Sequence, residues 1–394
     1  MEAYPGLEKE LAFTIAEYES RLKRIQQLMA TKGLDTLLVQ HPANVVYISG
    51  YQSKITYYNE TVVIPADGKP ILLVLDWEEA TARLHSWPDQ IETFPGLQAF
   101  PIQLASLLER LGLDNGRIGV ETKSWAVTAY LHKALEQALP VAKLIDASGL
   151  VEAIKVVKSE TEIKYIREAG RITDLGVSAA IDAAAPGRTD NDVAAAAYEA
   201  MIGGGSEFMS VGICVLSGRR SGIIHASHKR HEIKVGDPIV LEMGAIYQRY
   251  VAPLQRTISI GTPSEGLERL SLASFTAIED VLSLLRPNAD QAAIANRVRS
   301  RLEEAGPDAW AHGGVAYAVG LAFPPSWVEG SHYIGGTNPM GAGANNPIKA
   351  GMVFHLPLSL RVPGRYGVMQ SETVIVTEEG CEALSTVDRR LFIK

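Results

Sequence analysis

Three histidines, His225, His228 and His231, fall within seven residues of one another. Eleven residues after the first, a Gly236-Asp237 turn enters the apolar run Pro238-Ile239-Val240-Leu241, which ends on Glu242. An imidazole changes charge near neutral pH and can pass a proton, but a lone histidine is more often structural than catalytic. His228 and His231 flank Lys229 and Arg230 and read as solvated. Glu242 ends a buried strand, either as a functional carboxylate or as a solvated strand end. The two cysteines, Cys214 and Cys381, lie 167 residues apart without Cys-x-x-Cys spacing. Neither a disulfide framework nor a thiolate zinc site is supported.

These groups need a scaffold, and hydrophobic periodicity outlines one. Tyr18, Leu22, Ile25, Leu28 and Met29 recur at spacings of three and four over residues 16–32, which predicts a helix stopped by Gly33, and Thr36–Val39 reads as a buried strand. Strand-like runs follow at Val45–Ile48, Thr61–Ile64, Ile71–Leu75 and Ile118–Val120, with helical stretches at 100–112 and 125–139. The result is an α/β domain. Ser159-Glu160-Thr161-Glu162 has the Ser-x-x-Glu form of a capping box and opens a long helix to about Ala185. Further helices are expected at 190–201, 267–285 and 290–305, with strands and Gly/Pro turns elsewhere after residue 206. This second part is α+β, and the boundary divides the chain into 1–157 and 158–394.

Composition narrows the function classes. The 394 residues include 37 Lys or Arg against 45 Asp or Glu, a formal charge of −8. Phosphate-binding surfaces normally carry a basic patch, so nucleic acid is excluded as a partner. With 46% hydrophobic residues the chain can bury a substantial core. The apolar runs fall far short of the ~20 residues that cross a bilayer. The N-terminus is polar and acidic, unlike a signal peptide, and the expectation is a cytoplasmic protein without a membrane partner.

The order of His225, Gly236-Asp237, the strand to Glu242-Met243-Gly244-Ala245 and Arg256-Thr257 resembles the pita-bread family of creatinase, aminopeptidase P, prolidase and methionine aminopeptidase. Val315 to Pro325 resembles that family's glycine-containing loop, Gly351-Met352-Val353-Phe354 its Gly-Met-Val-Phe strand, and Ser371 to Gly380 its closing strand. The resemblance covers essentially the whole chain. It implies an α/β creatinase-like N-terminal domain followed by an α+β pita-bread catalytic domain.

The family's peptidases hold two metal ions with Asp, Asp, His, Glu and Glu. The corresponding positions here are Glu242, Pro253, Tyr317, Pro357 and Ser371, or Glu372 with a one-residue slip. Proline offers no side-chain donor, and divalent metals need several converging ligands. The resemblance therefore implies no metal and no other cofactor. It points either to a creatinase-like or ectoine-hydrolase-like enzyme that cleaves a small non-peptide C–N bond, or to a pita-bread module that only binds a partner. An Xaa-Pro peptidase with a remodelled metal site is the alternative within enzymes.

For the hydrolase, the resemblance makes His225 the acid/base group, with Glu242 and Glu372 holding a delocalised substrate cation and His355 assisting from the face of Pro357. Gln255, at a creatinase glutamate position, can accept a hydrogen bond but cannot neutralise a cation. Arg256, Tyr317 and Trp327 complete the expected small-molecule pocket; Tyr317 could instead be a core tyrosine. A creatinase-like homodimer would place Tyr51, Lys54 and Tyr57 of one subunit over its neighbour's site.

Overall fold

A computed structural model describes residues 4, 6–311, 313–335 and 346–394, which form two compact units, Met1–Lys155 and Val156–Lys394. The first unit contains helices α1 (Ile15–Lys32), α2 (Pro42–Ser49), α3 (Glu79–His85), α4 (Phe100–Arg110), α5 (Ala129–Ala138) and α6 (Glu152–Lys155). Its strands are β1 (Thr36–Val39), β2 (Thr61–Pro65), β3 (Ile71–Leu75), β4 (Gln90–Phe94), β5 (Arg117–Val120) and β6 (Lys143–Asp146). They form one mixed sheet in the order β4-β3-β2-β1-β5-β6. Leu38, Val63, Leu73, Ile118 and Val120 bury their side chains against Phe100, Leu104 and Leu131 of α4 and α5.

Val45–Ile48 is not the expected strand but the centre of α2. Pro42 stands in its first turn, left-handed Gly50 closes it, and the Glu121 carboxylate accepts the N–H groups of Gln40 and His41 at 2.6 and 2.7 Å just before it. These are helix start and stop signals. All eight residues of α2 are buried, so no polar face marks the helical period. The helix expected at 125–139 begins only at Ala129, where Thr128 caps it through the N–H of Leu131.

The second unit has helices α7 (Glu160–Ala183), α8 (Asp190–Gly203), α9 (Glu265–Leu284) and α10 (Gln291–Glu303). Both arms of the capping box at Ser159 and Glu162 are present. Strands β7 (Cys214–Ser217), β8 (Pro238–Met243), β11 (Leu254–Ser259) and β20 (Phe392–Ile393) form a sheet ordered β20-β11-β8-β7. A larger sheet runs β19-β18-β15-β13-β10-β9, with β14 paired to β13. Its members are β9 (Ile246–Tyr247), β10 (Tyr250–Val251), β13 (Ala316–Phe323), β14 (Ser326–Ile334), β15 (Val353–Pro357), β18 (Ser371–Val376) and β19 (Cys381–Ala383). A small sheet joins β12 (Trp310–Ala311), β16 (Leu360–Val362) and β17 (Tyr366–Val368). The segment expected as a glycine-containing loop is thus strand β13 and its turn into β14. No described helix is long and apolar enough to cross a membrane.

Each sheet has one face committed to helices. Ile239, Leu241, Leu254 and Ile258 pack with Ile172, Val177, Ala197 and Met201 of α7 and α8. Phe354, Leu356, Val374 and Val376 pack with Ala277, Ile278 and Val281 of α9. Strand alternation sends Arg256, opposite Leu241, and Glu372, opposite Leu356, to these helix-covered faces. There Arg256 donates to Glu372 Oε1 at 2.7 Å and to the carbonyls of Asp388, Gln255, Ser371 and Val387. A guanidinium has five N–H donors, and all five are used. Arg256 and Glu372, expected in the pocket, are therefore a structural clamp on the other side of the strands.

Two glycines of α7 differ in the room around them. A Cβ on Gly170 would meet nothing closer than 3.5 Å, whereas on Gly176 it would lie 2.5 Å from Met201 Cγ. Gly170→Ala should gain roughly 0.5–1 kcal/mol from helix propensity, while Gly176→Ala should lose about 1–3 kcal/mol by overpacking α8; urea unfolding measures both. By the same assay Arg256→Met should cost about 3–5 kcal/mol by leaving Glu372 buried and unpaired, and Arg256→Met/Glu372→Leu should recover much of that loss. Equal instability of the single and double variants would contradict the clamp.

Candidate functional site

The opposite faces of the same strands carry polar groups. Cys214, Glu242 and Gln255 stand side by side across β7, β8 and β11. Gln255 donates through Nε2 to Glu242 Oε1 at 2.6 Å and accepts from Ser359 Oγ at 2.7 Å. It is a positioning group for the carboxylate, its amide occupied at both ends. Burial pushes the Glu242 carboxyl above the usual carboxylate range, opposed by the Gln255 hydrogen bond and by the charges of His225 and Arg361. Burial, followed by the Glu242 charge, lifts the Cys214 thiol to about 12, which keeps it from serving as a thiolate nucleophile.

A second row crosses the larger sheet: Tyr317 opposite His355, and His355 opposite Thr373, with Pro357 opposite Ser371 one step along. Directly opposed residues share a face. The phenol oxygen of Tyr317 lies 2.7 Å from His355 Nδ1 and accepts from Trp327 Nε1 at 2.9 Å. Thr373 Oγ1 donates to the Pro253 carbonyl at 2.7 Å, which ties this row to the start of β11. His355 is fully buried, and burial pushes its imidazole down to about 3. Burial therefore favours the neutral ring. Tyr317 is held protonated by burial and by the Glu242 charge.

Of the remaining expected residues, His225 lies in a bend, exposed, with φ 53°, close enough for its charge to act on Glu242. Tyr51 does not project outward: it is 2% exposed and donates to Glu78 at 3.0 Å inside the N-terminal unit. Lys54 and Tyr57 are exposed. Ser359 and Arg361 were not singled out from the sequence. Arg361 is 8% exposed, its guanidinium makes no side-chain hydrogen bond among the described residues, and it interacts electrostatically with Glu242. The chain turns after Pro357, where β15 ends, and enters a different sheet at β16, so no strand period pointed to either residue.

The donor set does not suit a dinuclear metal centre. Pro253 and Pro357 have no side-chain donor, Tyr317 is committed to Trp327 and His355, and Ser371 rather than Glu372 shares the face of Pro357. Among the described residues no three His, Cys, Asp or Glu converge as a metal site would require.

Residues 164–378 match metallopeptidase family M24, and residues 21–157 match the creatinase/prolidase N-terminal domain. An ectoine hydrolase from Halomonas elongata is 26% identical, over 98% of this chain and 100% of that relative. A Xaa-Pro dipeptidase from Pyrococcus horikoshii is 24% identical, over 94% of this chain and 98% of its own length. The crystal structure of the prolidase from that organism superimposes with a TM-score of 0.81 at 23% identity, covering 95% of this chain and 100% of the other. With more than half its length matched, and with both halves in the expected order, the chain belongs to metallopeptidase family M24 and has the two-domain, pita-bread architecture of the creatinases and prolidases.

Proposed function

We propose that this M24 protein is a metal-independent hydrolase of a C–N bond in a small amidine, guanidino or cyclic amide substrate. The observation that carries the proposal is Glu242, whose carboxylate is braced by Gln255 and Ser359 while Pro253, Tyr317, Pro357 and Ser371 stand where the family's other metal ligands would be. An amidinium or guanidinium presents paired N–H donors to a carboxylate, a strong charge-assisted contact. Arg361, whose guanidinium has no hydrogen bond among the described residues, suits a substrate that also bears a carboxylate. The full-length similarity to an ectoine hydrolase supports a small, non-peptide substrate. Xaa-Pro dipeptidases are similarly close, and the two prolines are what favour the first reading.

In this scheme His225 takes a proton from water as the water oxygen bonds to the amidine or amide carbon. The carbon's π bond opens onto its heteroatom. The imidazolium then returns the proton to the leaving nitrogen as the C–N bond breaks and the π bond re-forms. Glu242 stays ionised and holds the substrate cation. His355, neutral, takes no part in the proton transfer. A homodimer in which Lys54 and Tyr57 reach a neighbouring site belongs to the same proposal.

A substrate screen over creatine, ectoine, hydantoins and ureido acids should identify turnover. With that substrate, His225→Ala should lower kcat by about 10²-fold or more, and Glu242→Gln should raise KM by at least about tenfold. Turnover should survive exhaustive chelation, and the purified protein should lack stoichiometric manganese, zinc or cobalt. Two bound metal equivalents with chelator-sensitive activity would sink the proposal. Because burial raises the Glu242 pKa, binding of a cationic substrate should fail on acidification at a higher pH than the ~4.3 of an ordinary glutamate. An acid limb that is unchanged in Glu242→Gln would assign it elsewhere.

A further inference from the structure

The Tyr317–His355–Trp327 group has more order than packing requires. Trp327 Nε1 is a donor only, so the phenol oxygen accepts its hydrogen. The phenol's own proton then needs an acceptor, and the one within reach among the described residues is His355 Nδ1, 2.7 Å away. Were Nδ1 protonated instead, the oxygen would face two donors while its hydroxyl hydrogen lost its partner, an expensive arrangement in a buried site. The neutral ring must therefore carry its hydrogen on Nε2. That nitrogen is buried without a hydrogen-bond partner among the described residues, as is Ser371 Oγ, a diagonal neighbour on the same face. Buried donors are nearly always satisfied, and an unpaired one in an otherwise ordered network calls for a missing acceptor.

We infer that Trp327 and Tyr317 lock His355 in the Nε2–H form, and that this nitrogen, with Ser371 Oγ beside it, binds a carbonyl or carboxylate oxygen of the substrate. The inference rests on the proposed hydrolytic site and adds its second recognition element. Glu242 reads the cation and His355 reads an oxygen acceptor. His355 is a binding residue; Tyr317 and Trp327 are positioning residues that act through it.

The test uses full-length protein labelled with nitrogen-15 at histidine, and two probes that separate the roles. N-Methylacetamide offers an oxygen without a cation; acetamidinium offers a cation without an oxygen. In the wild type, Nδ1 should show the resonance of an unprotonated nitrogen and Nε2 that of a protonated one. In Tyr317→Phe, which preserves the ring, the two forms should mix. N-Methylacetamide should shift the Nε2–H signal and bind at least about tenfold more weakly to Tyr317→Phe and His355→Leu, while acetamidinium binding should be unchanged in both and lost in Glu242→Gln. A proton on Nδ1 in the wild type, or an Nε2–H signal indifferent to N-methylacetamide, overturns the inference. Failure of acetamidinium alone sinks the Glu242 reading and leaves His355 standing. Tyr317→Phe keeps the result interpretable should His355→Leu not fold.

Discussion

The saturation of Arg256 is the constraint around which the catalytic-type unit is arranged. One guanidinium, fully buried, gathers β11, the start of β18 and the chain around Val387–Asp388 through five donors, and it neutralises Glu372 in the same stroke. Such a group cannot be shared with a ligand, since any acceptor taken from it would have to be replaced in a site closed to water. Its consequence for the other face is geometric. With Arg256 and Glu372 pinned behind the sheets, the two-residue period places Gln255 with Glu242 on the opposite face of one sheet, and Ser371 and Thr373 with Tyr317 and His355 on the opposite face of the other. The clamp and the polar groups of the opposite faces are consecutive residues of the same strands.

That period also explains what could be read in advance. The long amphipathic helices and their caps were legible because local signals, Ser159 with Glu162 or Gly33 after Lys32, dictate them. The two-domain order was legible because the motifs that carry it depend on residue identity alone. What escaped was register. Whether Ser371 or Glu372 shares the face of Tyr317 and His355 turns on a single residue, and a slip of one reverses every side chain. The side chains of Trp327 and Tyr317 meet across the β13/β14 hairpin only because its pairing shifts between Tyr317 and Val319 and again before Phe323, irregularities that no hydrophobic pattern encodes. Helix α2, buried on every side, lacked the exposed polar stripe that distinguishes a helix from a buried strand.

A buried ion pair shows the same economy elsewhere in the unit. Lys158 and Glu329 meet at 2.6 Å with both side chains essentially inaccessible, and a Cβ on Gly320 would fall 2.3 Å from the Glu329 carboxylate. The glycine thus makes room for the pair on β13 and β14, while Lys158 N–H holds the Gly351 carbonyl at the entrance to β15. Lys158 therefore links the strands that carry Tyr317, Trp327 and His355. A charge withdrawn from water in this way adds little net stability compared with an apolar contact, but it is costly to mispair, so it selects one arrangement of strands.

The residues that the proposal sets at the family's ligand positions make physical sense only as a set. Several carboxylates converging on one point repel one another and are expensive to ionise unless cations lie between them. Removing the cations while keeping the carboxylates would leave a site that either takes up protons or pushes its strands apart. In the proposed correspondence, prolines at positions 253 and 357, tyrosine at 317 and serine at 371 would remove that repulsion, and Glu242 would remain as a carboxylate moderated by the charge of Arg361. A single carboxylate so placed is a poor host for a divalent ion and a good one for a monovalent, delocalised cation whose N–H groups match its geometry. The same fold that elsewhere gathers carboxylates around metal would then spend its remaining polar groups on orienting an organic substrate, with neutral donors supplying what charge cannot.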